Sequence, residues 1–350
     1  MNKIHIKKLK LRFTPHTLVF KHAFTIAAGT RTTTPITLTE IESDGLVGYG
    51  EASMPPYLGE DHQSVFRFLT KAIKILLAFK DPFDIENIMV KVDQIDSGNT
   101  AAKAAIDIAL HDLKGKLLNK PCYALWHLDK TKTPFSTYTI GIDNPDMVRR
   151  KVKESEEFKI LKIKLGGSND KEMIETIRSV TDKPIAVDVN QGWKDKHYAL
   201  EMIQWLKEKN ILFVEQPISK EKTQDMTWLK QRSPLPLIAD ESVQRLSDLE
   251  KIKDAFHGVN IKLMKCTGMH EAYKMIARAR ELNLKILIGC MSETSCATSA
   301  AAHLTPLADW ADLDGPLLIK NNMFECIKFV EGKITLNDLP GIGLGRIRED

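Results

Sequence analysis

Ile160-Leu161-Lys162-Ile163-Lys164-Leu165 alternates apolar and cationic side chains. In a β-strand, a period of two sends both ammonium groups to one face and Leu161, Ile163 and Leu165 to the other. Side by side in a core the two charges repel, and a single unpaired buried ammonium already costs several kcal/mol. The six residues alone fit an edge strand with a solvated lysine face. The other reading is a buried strand that feeds amines into a site for proton transfer. The surrounding sequence decides between them.

From about residue 135 onward, strand, loop and helix patterns repeat. Strand candidates are 135–142, 160–166, 184–190, 211–216, 236–240, 258–264, 285–290 and 310–313. Their starts lie roughly 25 residues apart, which leaves room for one βα unit each. Runs such as Pro184-Ile185-Ala186-Val187 and Lys285-Ile286-Leu287-Ile288 suit a parallel sheet covered on both faces. The expected fold is therefore α/β, with a closed (β/α) barrel over residues 126–320. A doubly wound open sheet is the alternative, but no GxGxxG follows its first strands.

Residues 1–125 read as an α+β domain. Strands are expected over 3–13 and 35–43, joined by the polar loop Ala27-Ala28-Gly29-Thr30-Arg31-Thr32-Thr33-Thr34, with a turn and a short third strand over 45–51. Helical periodicity follows over 62–79, 84–95 and 99–118, the last alanine-rich and amphipathic. Pro121 and Pro134 bracket the boundary. Residues 321–350 fall outside the repeat, and Lys333-Ile334-Thr335-Leu336 is expected to return to the first domain.

The 350 residues are 43% hydrophobic and 27% charged, which excludes a mostly disordered chain. The net charge of +4 arises from 50 basic and 46 acidic side chains, scattered rather than clustered, so no nucleic-acid partner is expected. No apolar run approaches the ~20 residues that span a bilayer, and Met1-Asn2-Lys3-Ile4-His5 lacks the features of a signal peptide. Cys122, Cys266, Cys290, Cys296 and Cys326 are odd in number and show no CxxC spacing. They read as reduced thiols in a cytoplasmic protein without membrane association.

In such a barrel the C-terminal strand ends build the active site. Those ends carry Lys162 and Lys164, then Asp188 and Asn190, then Glu215, then Asp240, then Lys262. Three carboxylates on adjacent strand ends repel unless a hard divalent cation such as Mg²⁺ joins them. Any one of them alone reads equally well as a helix cap. Lys164 and Lys262 flank this set, so a substrate α-carbon between them meets a base on one side and an acid on the other. The nearby positive charge is expected to favour a neutral base amine. Lys265 reads as a solvated neighbour pointing away, and His303 as a satisfied helix histidine.

The segment Val47-Gly48-Tyr49-Gly50-Glu51, the helix from Ala104 to Leu113, the KxK pair, DxN, EQP, DES and Asn260-Ile261-Lys262-Leu263-Met264-Lys265 together resemble the enolase superfamily, specifically its muconate-lactonizing subgroup. The resemblance covers nearly the whole chain. It implies a (β/α)₇β TIM-like barrel with an α+β capping domain, Mg²⁺ on Asp188, Glu215 and Asp240, acid/base lysines at Lys164 and Lys262, and Lys162 as an electrostatic helper. Asp312-Leu313-Asp314 looks like the DxD motif of the dipeptide epimerases, whose acids bind the free ammonium of the substrate. The bland reading of those acids is a turn before Gly315-Pro316. In that family Thr139, Asn190 and the loop Cys290-Met291-Ser292 would line the dipeptide, and a homo-oligomer is expected.

One departure bears on specificity. Epimerases acting on Ala-Glu place an arginine in the first-domain loop, and the alignment of Phe24–Thr34 puts Gly29 there, with Arg31 displaced by two. This implies a small or apolar dipeptide of the Ala-Ala type. An Ala-Glu epimerase, an N-acylamino acid racemase and an o-succinylbenzoate synthase are the enzymatic alternatives. A ligand-binding protein that has lost catalysis is the other, and the intact lysines and acids argue against it.

Overall fold

The structure, a computed structural model, describes residues 8–325 and 327–345. Its first unit is an antiparallel meander of β1 (Lys10–Ile26), β2 (Gly29–Ser43) and β3 (Leu46–Ser53). Residues 3–7 of the first expected strand lie outside the described residues. The polar loop expected over 27–34 is instead a hairpin arm: Phe24 pairs with Arg31, Thr25 with Thr30 and Ile26 with Gly29. Only Ala27 and Ala28 turn. The threonine run that looked like a loop consists of β-branched residues that favour strand geometry. Asp44 and Gly45, at φ 50° and 76°, form the tight turn into β3.

Helices α1 (His62–Ala78), α2 (Ile85–Asp93) and α3 (Thr100–Leu117) cover this sheet, and α4 (Cys122–Leu125) leads away from it. Helix α3 is buried nearly all round rather than amphipathic, and its mid-helix charges Lys103, Asp107 and Asp112 are buried with it. Its alanines let β3 approach closely. A Cβ built on Gly50 would meet the Ala105 carbonyl oxygen at 1.9 Å.

The second unit is an eight-stranded parallel sheet: β4 (Thr137–Ile140), β5 (Ile160–Lys164), β6 (Ile185–Asp188), β7 (Ile211–Glu215), β8 (Leu237–Ala239), β9 (Gly258–Lys262), β10 (Lys285–Gly289) and β11 (Trp310–Asp312). A parallel bridge between Ser136 and Ala311 closes β11 onto β4. Between the strands run α5 (Pro145–Glu154), α6 (Asp170–Arg178), α7 (Lys196–Lys207), α8 (Thr223–Lys230), α9 (Leu249–Ile252), α10 (Met269–Glu281) and α11 (Ser295–Ala302), a (β/α)₇β barrel. Outward strand residues such as Leu161, Ile163, Val187 and Val214 join the main apolar core. Inward, Ala186, Phe213, Ile238 and Leu287 form a separate cluster that plugs the barrel.

After the barrel, β12 (Lys328–Val330) pairs with β13 (Lys333–Thr335). The expected return of Lys333–Leu336 to the first unit does not occur there, because Lys333 bridges to Phe135 at the entry to β4. The chain reaches α3 further on, where the Ile342 N–H donates to Asp112 Oδ1. Among the described residues no helix is long and apolar enough to cross a membrane. Cys122, Cys266, Cys290 and Cys296 are free thiols, and Cys326 lies outside the described residues.

Candidate active site

The strand period that plugs the barrel also builds the site. Asp188, Glu215 and Asp240 lie two residues beyond Ala186, Phe213 and Ile238, so they face inward one layer higher. Register aligns Lys164 with Asp188 and Asp188 with Glu215. The three acids are buried, and each offers an oxygen within 4.8 Å of the others. Burial pushes Asp188 and Asp240 up, but the facing ammonium groups outweigh it and hold both below the usual carboxylate range. Glu215 goes the other way, raised by burial and by the Asp188 charge. Its Oε2 is buried and accepts no hydrogen bond, although Lys162 Nζ lies 2.9 Å away as an ion-pair partner. A cluster of hard oxygens with one left without a hydrogen-bond donor fits a divalent cation.

Lys164 Nζ donates to Asp188 Oδ2 at 2.6 Å from β5, and Lys262 Nζ to Asp240 Oδ2 at 2.7 Å from β9. The lysines thus stand on opposite flanks of the acid set. Lys162 reaches across the barrel to Asp188, Glu215 and Asp312 at 3.1, 2.9 and 2.7 Å. Burial lowers Lys162 and Lys262, but the facing carboxylates outweigh it and hold both well above the ordinary lysine value. One expectation fails here. Lys265 does not point into solvent: it is 1% exposed and bonded to Asp240 Oδ1 at 2.5 Å.

Across the mouth, Asp312 accepts from Lys162 Nζ and from Thr137 Oγ1, each at 2.7 Å. Asp314 accepts from the Thr139 N–H at 2.5 Å. Both acids are buried, and burial together with the Asp312 charge raises Asp314. They line one pocket with Thr139, Lys162, Lys164, Asn190, Asp240, Lys262, Cys290, Met291 and Ser292. Asn190 donates from Nδ2 to Glu241 at 3.3 Å, which leaves its buried Oδ1 without a partner.

The hairpin of the first unit roofs this pocket with Phe24, Ile26 and Arg31. Its tip is docked on the barrel, since the Ile142 N–H donates to the Thr25 carbonyl at 3.0 Å. Gly29 sits exposed at the tip and does not line the pocket, whereas Arg31 does. Arg31 Nη1 is buried without a hydrogen-bond partner. Pro55 and Tyr57 complete the roof, with the Tyr57 hydroxyl 3.0 Å from Met291 Sδ.

Sequence reading missed Tyr57, Lys265 and Asn260, whose Nδ2 donates to Glu215 Oε1 at 2.7 Å. For Asn260 a signal existed, since it shares the inward parity of Lys262. His303 accepts the Tyr123 N–H on Nδ1 at 3.0 Å, far from this chemistry.

Comparison with known proteins agrees with this architecture. Residues 11–126 match the mandelate racemase / muconate lactonizing enzyme N-terminal domain, and residues 146–349 match the enolase C-terminal domain-like family. The L-Ala-D/L-Glu epimerase of Bacteroides thetaiotaomicron is 60% identical over 341 residues, covering 97% of this chain and 88% of that protein. The dipeptide epimerase of Enterococcus faecalis, crystallised with Mg and L-Leu-L-Tyr, superimposes with a TM-score of 0.90 at 31% identity, over 97% of this chain and all of the other. The substrate-liganded L-Ala-D/L-Glu epimerase of Bacillus subtilis gives 0.91 at 27% identity, over 98% of this chain and all of the other. The chain belongs to the mandelate racemase / muconate lactonizing enzyme family of the enolase superfamily and is an isomerase of its epimerase branch.

Proposed function

We propose that the protein is a Mg²⁺-dependent dipeptide epimerase that inverts the α-carbon of the C-terminal residue, with L-Ala-D/L-Glu as its preferred substrate class. The observation that carries this reading is the placement of Lys164 and Lys262 on opposite flanks of the acid cluster. One amine, in its neutral form, takes the α-proton; the other, as an ammonium, delivers a proton to the opposite face. The net result is a 1,1-proton transfer with no change in composition. Asp188, Glu215 and Asp240 would hold the cation, which when bound supplies Lewis-acid stabilisation of charge developing on the substrate carboxylate. Lys162 adds a fixed positive charge on the same side.

Asp312 and Asp314 suit the free ammonium of a dipeptide. They suit an N-acyl or succinyl group poorly, since those carry no cation at that position. The small or apolar specificity read from Gly29 gives way to an acidic one, because Arg31 itself lines the pocket with an unpartnered guanidinium nitrogen. A buried donor left unpaired is costly, and a substrate carboxylate offers the charge-assisted partner.

The test is chiral chromatography of L-Ala-L-Glu, L-Ala-L-Ala and L-Ala-L-Phe incubated with the enzyme and Mg²⁺. The expected order of kcat/KM puts Ala-Glu first, and Arg31→Met is expected to lower its kcat/KM by about tenfold to a hundredfold while sparing Ala-Ala. Equal turnover of all three, unchanged in Arg31→Met, would refute the acidic preference. No epimerisation of any dipeptide would refute the function.

A further inference from the structure

The reaction needs Lys262 free to approach carbon, yet its nearest neighbour is the carboxylate of Asp240. How one acid serves both as a neighbour of this amine and as part of the acid cluster is answered by the second lysine on the same turn. The turn leaving β9 curls back, with the Lys265 N–H donating to the Lys262 carbonyl at 3.0 Å. This brings two ammonium groups to the two oxygens of one carboxylate. Lys262 Nζ meets Oδ2 at 2.7 Å, and Lys265 Nζ meets Oδ1 at 2.5 Å. Lys265 also donates to the backbone oxygens of Asp240 and Asn260 at 2.7 and 3.0 Å. An ammonium has three protons, and these three acceptors use all of them. Lys265 is therefore saturated, sealed from solvent, and has nothing to offer a substrate.

We propose that Lys265 is a positioning residue for the proton transfer: by occupying Asp240 Oδ1 it confines Lys262 to the other oxygen and keeps that amine aimed at the substrate. Without it, Oδ1 loses its ammonium partner, and Lys262 is no longer confined to Oδ2 and is drawn down into the barrel. The contact with the Asn260 carbonyl extends the effect, since the Asn260 side chain holds Glu215. The loss falls on one half of the reaction. Lys164 has its own partner, Asp188, and makes no contact with Lys265.

This inference rests on the epimerase reading, and the experiment separates the two. Each epimer of Ala-Glu is incubated separately in D₂O with Mg²⁺, and early loss of its α-proton signal is followed by NMR. Lys262→Ala and Lys164→Ala first identify which epimer each lysine deprotonates. In Lys265→Met, washout from the Lys262 epimer is expected to fall about a hundredfold, and washout from the Lys164 epimer by less than about tenfold. Lys265→Gln, which keeps one donor for Oδ1, is expected to lie between Lys265→Met and the native enzyme. Native enzyme that exchanges neither epimer overturns the epimerase reading itself. Native exchange with equal slowing on both sides in Lys265→Met, or none, overturns the positioning role. Failure of both variants to fold overturns it too, since Lys265 then serves the fold rather than the site.

Discussion

Asp314 and His303 are both buried, and their partners give them opposite roles. Asp314 takes the Thr139 N–H and keeps a face on the pocket, where a substrate ammonium is the complementary charge. Asp314→Asn is expected to raise the dipeptide KM by about tenfold or more with a smaller effect on kcat, consistent with the ~1.5–3 kcal/mol of a charged hydrogen bond. Steady-state kinetics on Ala-Glu check this, and an unchanged KM would remove Asp314 from the ammonium site. His303 stacks on Tyr123 and is held neutral, its pKa lowered from 6.5 to about 4 by burial. A depressed histidine stabilises the fold fully above the unfolded-state value and loses that contribution as pH falls from 6.5 toward 4. At pH 5 the loss is about 2 kcal/mol, at 1.36 kcal/mol per unit. Urea unfolding at pH 7 and pH 5 should show this loss in the native protein and a smaller one in His303→Asn.

Among the elements, the β1–β2 hairpin is the most exposed to small changes, because it carries Arg31 and rests on the loops after β5 and β6. A Cβ built on Gly192 would lie 2.5 Å from Gly166 Cα and 2.9 Å from Ala27 Cβ. Gly192→Ala must therefore push the hairpin tip away from the barrel. The expected outcome is a KM for Ala-Glu raised severalfold or more, with the circular dichroism of the fold retained. A KM equal to native would show that the tip does not set the pocket. The same hairpin shows where sequence reading stops. The barrel strands were legible because apolar runs recur at βα spacing and their functional residues share one parity, as in Lys162–Lys164 and Asn260–Lys262. The segment Gly29–Thr34 was not, since a threonine-rich strand paired above a barrel mouth has the composition of a loop. Nor was Lys265, whose burial depends on Asp240, an acid on the preceding strand. The partner of Lys333–Thr335 was not legible either, because that segment has strand character whichever partner it meets; the chain touches the first unit on either side of it, at Ile319 and at Ile342.

In the whole molecule, two acids of the first unit cap barrel helices. Glu51 accepts from the Thr294 N–H at 2.9 Å and from its hydroxyl at the start of α11. Asp107 accepts from the Met269 and His270 N–H groups at the start of α10. A carboxylate at a helix N-terminus satisfies orphan donors and meets the positive end of the dipole. These caps hold the roof over the pocket, so Glu51→Ala is expected to cost about 2 kcal/mol and to lower kcat/KM together with stability. Thermal unfolding and kinetics on one preparation check both effects. The acid cluster couples to stability in the same way. Mg²⁺ at about a hundred times its Kd should stabilise the native protein by ~2.7 kcal/mol, while Glu215→Gln should show little shift. The most direct measurement is a crystal structure with Mg²⁺ and L-Ala-L-Glu bound. It should place the ion against Asp188, Glu215 and Asp240, with the glutamate α-carbon between the Lys164 and Lys262 amines. An ion bound elsewhere, or both amines on one side of that carbon, would contradict the account.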